Sequence, residues 1–246
     1  MINADDLGMS ENVNAAICEA FEKGLIDRTT LMTNMPYARE AMKLAKEKGF
    51  LPNVGIHLNL TSGRPLTEGI RSDAVMCGEN GEFTGDFARS LLTRFFLPKE
   101  TVKHVDEEIR AQLDMYAELG GTLWHIDSHH HVHTDPSVFG ILKKVMRDYP
   151  VTGIRLSRNM YSGGNPLMRI YKALFNRSAR KLCRVKPDYF GSLYDYETFV
   201  TGHPHVAEHE TEIMVHPVFD DKGVLCDVHA GGYSELQPRA EAVRKA

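Results

Sequence analysis

The sequence predicts an α/β protein, a (β/α) barrel that is distorted or incomplete. Three observations predict it. Short apolar runs of strand character alternate with helix-period stretches of ten residues or more, which requires a mainly parallel sheet. The length, 246 residues, suits one barrel domain over residues 1–246 with a large buried core. Four polar clusters each follow an apolar, strand-like run, the position where barrels keep their chemistry.

Met1 and Ile2 read as the end of a first strand that runs into Asn3-Ala4-Asp5-Asp6. Ser10 is placed to cap a helix whose apolar stripe is Val13, Ala16, Ile17 and Ala20, and Gly24 stops it. Residues 29–35 read as a second strand and 38–48 as a second helix, ended by Gly49. Over residues 53–61, Val54, Ile56 and Leu58 alternate with Gly55, His57 and Asn59 as in a strand. The rhythm breaks at about residues 62–97, an irregular insertion rich in Gly, Pro and charge and expected to act as a functional loop or lid. Helical spacing returns at Val102, Val105, Ile109, Leu113 and Tyr116 and ends at Gly120-Gly121. Residues 122–127 form a strand, and Pro136 opens a helix with Val138, Leu142, Val145 and Tyr149 on one face. Residues 152–158 are another strand, 212–215 the last clear one, and 237–245 are helix-like. Residues 159–202 carry no readable pattern.

Composition narrows the function. The chain is 42% hydrophobic and 25% charged, as soluble globular proteins are. A formal net charge of −4 argues against a nucleic-acid partner. No apolar run approaches the roughly 20 residues of a membrane span, and no secretory signal stands at the N-terminus. A cytoplasmic protein without a membrane partner is therefore expected. The four cysteines, Cys18, Cys77, Cys183 and Cys226, are far apart and form no CxxC pair, which argues against a disulfide framework or a cysteine zinc site. The motifs of serine hydrolases and of dinucleotide binding are missing.

The polar clusters remain. In Asn3-Ala4-Asp5-Asp6-Leu7-Gly8, a helix N-terminus accounts for one aspartate but less well for two. Adjacent side chains point different ways, so one Asp can bind a metal while the other faces substrate or water. His57 alone reads as a structural histidine. The run His125-Ile126-Asp127-Ser128-His129-His130-His131-Val132-His133 is the sharpest signal. If residues 127–133 stay extended, Asp127, His129, His131 and His133 share one face, and alternate histidines aim at one pocket as a metal requires. A ligating imidazole needs an acceptor for its other nitrogen, and Asp127 is the natural one. Arg155 at a strand end reads equally well as a surface ion pair, and His216 as a polar residue before a proline turn. His203, His205 and His209 lie in a charged, unpatterned stretch and are left out of the site.

These four motifs (NADDLGMS, GIHLNLT, HIDSHHHVH and EIMVHP), in this order and spacing, resemble the YdjC-type carbohydrate deacetylases, a family that includes chitooligosaccharide deacetylases. The resemblance spans Asn3 to about Pro217. It implies a barrel related to polysaccharide deacetylases and a divalent metal held by Asp6, His57 and His129. Asp5 would be the general base and His216 the acid. Arg155, which would orient a ligand or a carboxylate, and His131 would contact substrate. Mg²⁺ is the expected ion, and the donor set also suits Zn²⁺ or Mn²⁺. The implied reaction is metal-dependent removal of acetyl groups from N-acetylglucosamine or chito-oligosaccharides, releasing acetate. Two alternatives stay open: another metal-dependent barrel hydrolase, acting on a phosphoester or cyclic amide, and a non-enzymatic metal- or sugar-binding protein. The expected partner is a small-molecule or oligosaccharide substrate, and a homodimer is allowed. The sequence departs from the family in three places. Leu7 stands where Phe is usual, only Met1 and Ile2 precede the first motif, and Ala246 ends the chain where a closing strand is common. An incomplete barrel closure is expected from the last two.

Overall fold

The computed structural model describes residues 1–161, 165–229 and 231–245. Strand β1 (Ile2–Leu7) includes the two aspartates that the sequence placed beyond it. Helix α1 (Glu11–Glu22) follows, with the Ser10 hydroxyl accepting from the Val13 N–H and the expected stripe buried. Then come β2 (Arg28–Leu31), α2 (Ala38–Glu47) and β3 (Val54–Leu58). Residues 62–97 hold three short helices, α3 (Glu68–Arg71), α4 (Asp86–Arg89) and α5 (Leu91–Phe95). The long α6 (Lys99–Glu118) leads to β4 (His125–Ser128), a 3₁₀ turn over His129–Thr134, and α7 (Pro136–Val145).

The unpatterned stretch resolves into structure after β5 (Gly153–Ile154). It contains α8 (Pro166–Arg180), β6 (Tyr189–Ser192) and α9 (Leu193–Gly202), while residues 162–164 lie outside the described set. Strand β7 (Thr211–Val215) matches its expectation. Beyond it, β8 (Pro217–Phe219), β9 (Leu225–His229) and β10 (Gly232–Glu235) form an antiparallel sheet that sequence patterning did not reveal. Helix α10 (Leu236–Lys245) ends the described chain.

The main sheet has seven parallel strands in the order β5-β4-β3-β2-β1-β7-β6. Among the described residues its two edges do not pair as a ladder, so the barrel is incomplete. Asn159 bridges the gap by hydrogen bonds. The Asn159 N–H donates to the Phe190 carbonyl at 3.0 Å, and its side-chain oxygen accepts from the Phe190 N–H at 2.8 Å. Every residue of β1, β3, β4 and β7 is buried. That is why strict polar–apolar alternation is a weak guide here: strands covered on both faces need not alternate.

The insertion is wall as much as loop. Ile70, Met76, Phe83 and Phe87 are buried in the main core. Fully buried Glu108 on α6 anchors its entry, accepting from the Leu66 N–H (3.0 Å), the Thr67 N–H (2.8 Å) and the Thr67 hydroxyl (2.9 Å). Gln112, one turn on, holds both backbone groups of Asn59 just past β3. Gln112 Nε2 also donates to Glu108, at 2.9 Å, so removing the carboxylate leaves four donors without their acceptor in a largely buried site. Glu108→Ala is expected to lower the unfolding free energy by about 2–4 kcal/mol. Urea denaturation measures it, together with faster proteolysis between residues 62 and 97.

Candidate metal centre and active site

The site begins with a backbone irregularity. Asp6 has φ +71°, and the β1–β2 register shifts between Ala4 and Leu7. A left-handed aspartate inside a strand breaks the alternation of side chains. Asp5 therefore points into the barrel, and Asp6 meets two histidines. His57 Nε2 lies 3.1 Å and His129 Nδ1 2.8 Å from the same oxygen, Asp6 Oδ1. These three donor atoms lie within 4.8 Å of one another.

His57 is oriented from behind. Its Nδ1 lies 2.7 Å from Asp127 Oδ1, and the Thr30 hydroxyl donates to Asp127 Oδ2 at 3.0 Å. This is the carboxylate–imidazole arrangement that aims a ligating nitrogen. Asp127 is an imidazole acceptor as the sequence suggested, but its partner is His57 on β3 and not His129 of its own histidine run. Burial alone would lower the His57 imidazole, but Asp127, then Asp6 and Asp5, push it up to about 10. Burial would raise the Asp6 carboxyl, yet hydrogen bonds from His129 and His57 hold it well below the usual carboxylate range. A metal ion would take the place of the proton on His57 Nε2.

The donor set fits a divalent ion. One carboxylate oxygen and two imidazole nitrogens converge and leave an open side toward a cavity of about 730 Å³. A second acidic group, Asp5, His57 and Asp127, also converges, but all three are buried and already bonded to Arg155 or Thr30.

Arg155 is the largest fully buried side chain. Its guanidinium grips Asp5 through both terminal nitrogens (2.6 and 2.7 Å), Asp127 Oδ2 (2.7 Å) and Glu212 Oε1 (2.6 Å). It does not line the cavity, so the expectation of a substrate contact is revised: of its two expected tasks, orienting carboxylates is the one it performs here. Burial would raise the Asp5 carboxyl, but the Arg155 guanidinium overrides it and holds Asp5 well below its ordinary value.

The histidine run is not extended. His130 and His131 have φ +53° and +56°, which folds it into a tight turn and overturns the expectation that His129, His131 and His133 share a face. His133 turns inward, fully buried, between the Ser128 hydroxyl (2.6 Å) and the Arg155 carbonyl (3.2 Å). Burial pushes it down to about 3. His130 packs against His129 with ring centres 4.0 Å apart and planes tilted by 37°, and meets the Thr61 hydroxyl at 3.0 Å. His131 faces the cavity with its edge on Phe190, and its Nδ1 is buried without a hydrogen-bond partner among the described residues. His125 stays back at the start of β4.

Asp5, Asp6, His57, His129, His131 and His216 all border the one cavity. Residues 1–244 match the family described as YdjC-like protein. The chain belongs to the YdjC family. A carbohydrate deacetylase of Geobacillus stearothermophilus is 33% identical over 244 residues, 98% of this chain and 86% of that protein. Another from Brevibacillus brevis is 33% identical over 226 residues, 92% of this chain and 83% of the relative. A solved structure from Enterococcus faecalis V583, described as a cellobiose-phosphate cleavage protein, superposes with a TM-score of 0.67. It is 26% identical and covers 99% of this chain and 88% of its own.

This YdjC-family chain also uses residues that sequence reading missed. Thr30 and Glu212 complete the buried network; Glu212 had a signal, as an acidic residue inside an apolar strand. Arg158, Val218 and Val228 border the cavity, the two valines from the unforeseen antiparallel strands. Asp227 on β9 accepts from the His216 N–H at 2.8 Å and so ties that sheet to the site.

Two outcomes test this architecture. Asp127→Asn is expected to weaken Zn²⁺ or Mn²⁺ affinity about 10–100-fold, because the ligating tautomer of His57 loses its acceptor. Asp6→Ala weakens it further, both read by calorimetric titration. Arg155→Met leaves three buried carboxylates without their cation and is expected to cost about 3–5 kcal/mol of stability. Arg155→Lys will not restore it, since an ammonium lacks the planar fork that spans them. Denaturation of both variants at neutral pH decides it.

Proposed function

We propose that this chain is a metal-dependent hydrolase that removes an acetyl group from an N-acetylated sugar, releasing acetate and a free amino sugar. The observation that carries the proposal is the open, three-donor set of Asp6, His57 and His129, with Asp5 and His216 bordering the same cavity. The names of its carbohydrate deacetylase relatives support the same reading.

A divalent ion held by Asp6, His57 and His129 would supply Lewis-acid polarisation of the acetyl carbonyl and acidify an attacking water. Mg²⁺, Zn²⁺ and Mn²⁺ all suit these donors. Asp5 accepts the proton of that water. Arg155 keeps it ionised and fixes its direction, at the expense of some basicity. His216 delivers a proton to the sugar nitrogen as the C–N bond breaks. Its backbone is held by Asp227, which places the imidazole at the edge of the cavity. His131 is kept uncharged: burial pushes it well below its ordinary value, and Arg155 adds to this. A neutral imidazole with a free buried nitrogen suits a hydrogen bond to substrate. The wall formed by Met9, Val13, Pro217, Val218 and Val228 offers the apolar surface that a sugar ring and an acetyl methyl bury.

A phosphoesterase with two metals is less well supported, because its second ion would need donors that Arg155 and Thr30 already occupy.

Acetate release from N-acetylglucosamine oligomers, in the presence of each of the three metals, is the direct assay. Chelation should abolish it. Asp5→Asn should lower kcat by about 10²–10⁴-fold while leaving metal affinity within a few-fold. Phosphate release without acetate, or tight sugar binding with no hydrolysis by the metal-loaded wild type, would refute the proposal.

A further inference from the structure

The apolar wall of the cavity continues beyond it. Val218 on β8 and Val228 on β9 line the cavity. Val218 pairs with Cys226 in the β8–β9 ladder, and Val228 pairs with Tyr233 in the β9–β10 ladder. Cys226 and Val228 are two residues apart on one strand, so all four side chains share one face of the small sheet. Directly opposed side chains lie about 5 Å apart at Cβ. Tyr233 therefore sits one strand outward from the cavity, beside Val228. It is 64% exposed, and β10 is the edge of its sheet. A lone exposed aromatic residue is ordinary. This one prolongs the wall of a ligand cavity.

Tyr233 is also held in place. Every residue of β10 is paired with β9. Arg239 on α10 donates to the neighbouring Ser234 hydroxyl and grips Glu197 on α9 at 2.8 and 2.7 Å. The strip starts beside the chemistry. The Val228 N–H donates to the His216 carbonyl at 3.1 Å, so Val228 and Tyr233 lie level with the residue that would protonate the leaving sugar nitrogen.

We propose that Tyr233 is the stacking platform for a second sugar ring, so that a substrate of two or more linked sugars lies across Val228 and Tyr233 with its acetylated ring in the cavity. This inference rests on the sugar reading of that cavity. A pyranose ring carries C–H bonds on its faces and hydroxyls around its edge. The faces suit an aromatic ring, whose π surface is negative. The edges need polar partners or water. Arg158 borders the cavity with its Nε buried and lacking a hydrogen-bond partner among the described residues, and its Nη1 lies 3.6 Å from Asp195. The one cavity thus combines an apolar wall with a polar group that has a donor to spare. Tyrosine suits the platform because covering it costs little conformational entropy, having two χ angles only. A ring already fixed on a paired strand costs less still.

Binding and turnover test the platform separately. With chelator present, the full chain is titrated calorimetrically with N,N′-diacetylchitobiose and with N-acetylglucosamine. Wild type should hold the disaccharide about 10-fold tighter than the monosaccharide. Tyr233→Ala should erase most of that difference while keeping the far-UV spectrum and the urea midpoint of wild type. Tyr233→Phe should retain it, because the ring and not the hydroxyl makes the contact. In the metal-loaded protein, the ratio of kcat/KM for the disaccharide to that for the monosaccharide should fall about 10-fold in Tyr233→Ala, mainly through KM. Equal affinity of wild type for the two sugars overturns the proposal. So does an Ala variant that keeps the preference, or a Phe variant that loses it. Acetate release without a chain-length preference would sink the platform and leave the hydrolase reading intact. A preference lost in Tyr233→Ala, with no acetate released by wild type, would do the reverse.

Discussion

The structure depends on one buried cation. Arg155 leaves the main chain just after β5, a strand of only two ladder residues, and reaches across the barrel interior to β1, β4 and β7. Its guanidinium also lies 4.8 Å from the Phe190 ring on β6. A charge so deeply buried is tolerable only when its donors are satisfied, and the planar fork does this with three carboxylates at once. Where the sheet fails to close by hydrogen bonding, the two sides are joined through this ion cluster. The same contacts set the chemistry. Asp127 gives one oxygen to Arg155 and the other to His57, and His57 then meets Asp6. A ligand direction at the cavity is thus fixed by a cation that never touches it.

Strain is concentrated at the same place. Among the described residues, Asp6, His130 and His131 are the only non-glycine positions with positive φ, and all three border the cavity. Each costs on the order of 1–3 kcal/mol. The departures release side chains from strand geometry. Regular alternation would send Asp5 and Asp6 to opposite faces of β1. The left-handed Asp6 lets one serve the buried cluster and the other the candidate metal site. The two left-handed histidines do the same beyond β4. They turn His133 inward as a support for Ser128 and Arg155 while leaving His129 and His131 at the opening.

This explains what sequence could reveal. The barrel was legible because parallel strands and covering helices impose a rhythm on apolar residues, and Ser10, Gly24 and Gly49 mark its stops. Asp6, His57 and His129 were legible through four ordered motifs. The extended reading of residues 127–133 failed because nothing in a run of histidines announces a left-handed turn. Arg155 was ambiguous for a related reason: an arginine looks like a surface residue until its three carboxylates, each from a different strand, are seen together. Strands β8 to β10 escaped because they are short, and β10 lies mostly in solvent with no core face to pattern.

Charge balance in the interior connects the fold to the metal. Asp5, Asp127 and Glu212 surround the guanidinium, and Asp6 adds a fourth carboxylate to the cluster through His57. With neutral histidines the cluster would carry a large uncompensated negative charge in a poorly solvated region, which is strongly unfavourable. In the metal-free chain a proton on His57 offsets part of it, which is why that imidazole is pushed up to about 10 against the effect of its own burial. A divalent ion at the same nitrogen would displace one positive charge and bring two. Metal binding would therefore complete an electrostatic balance that the folded chain leaves open, and its binding energy would add directly to the stability of the folded state.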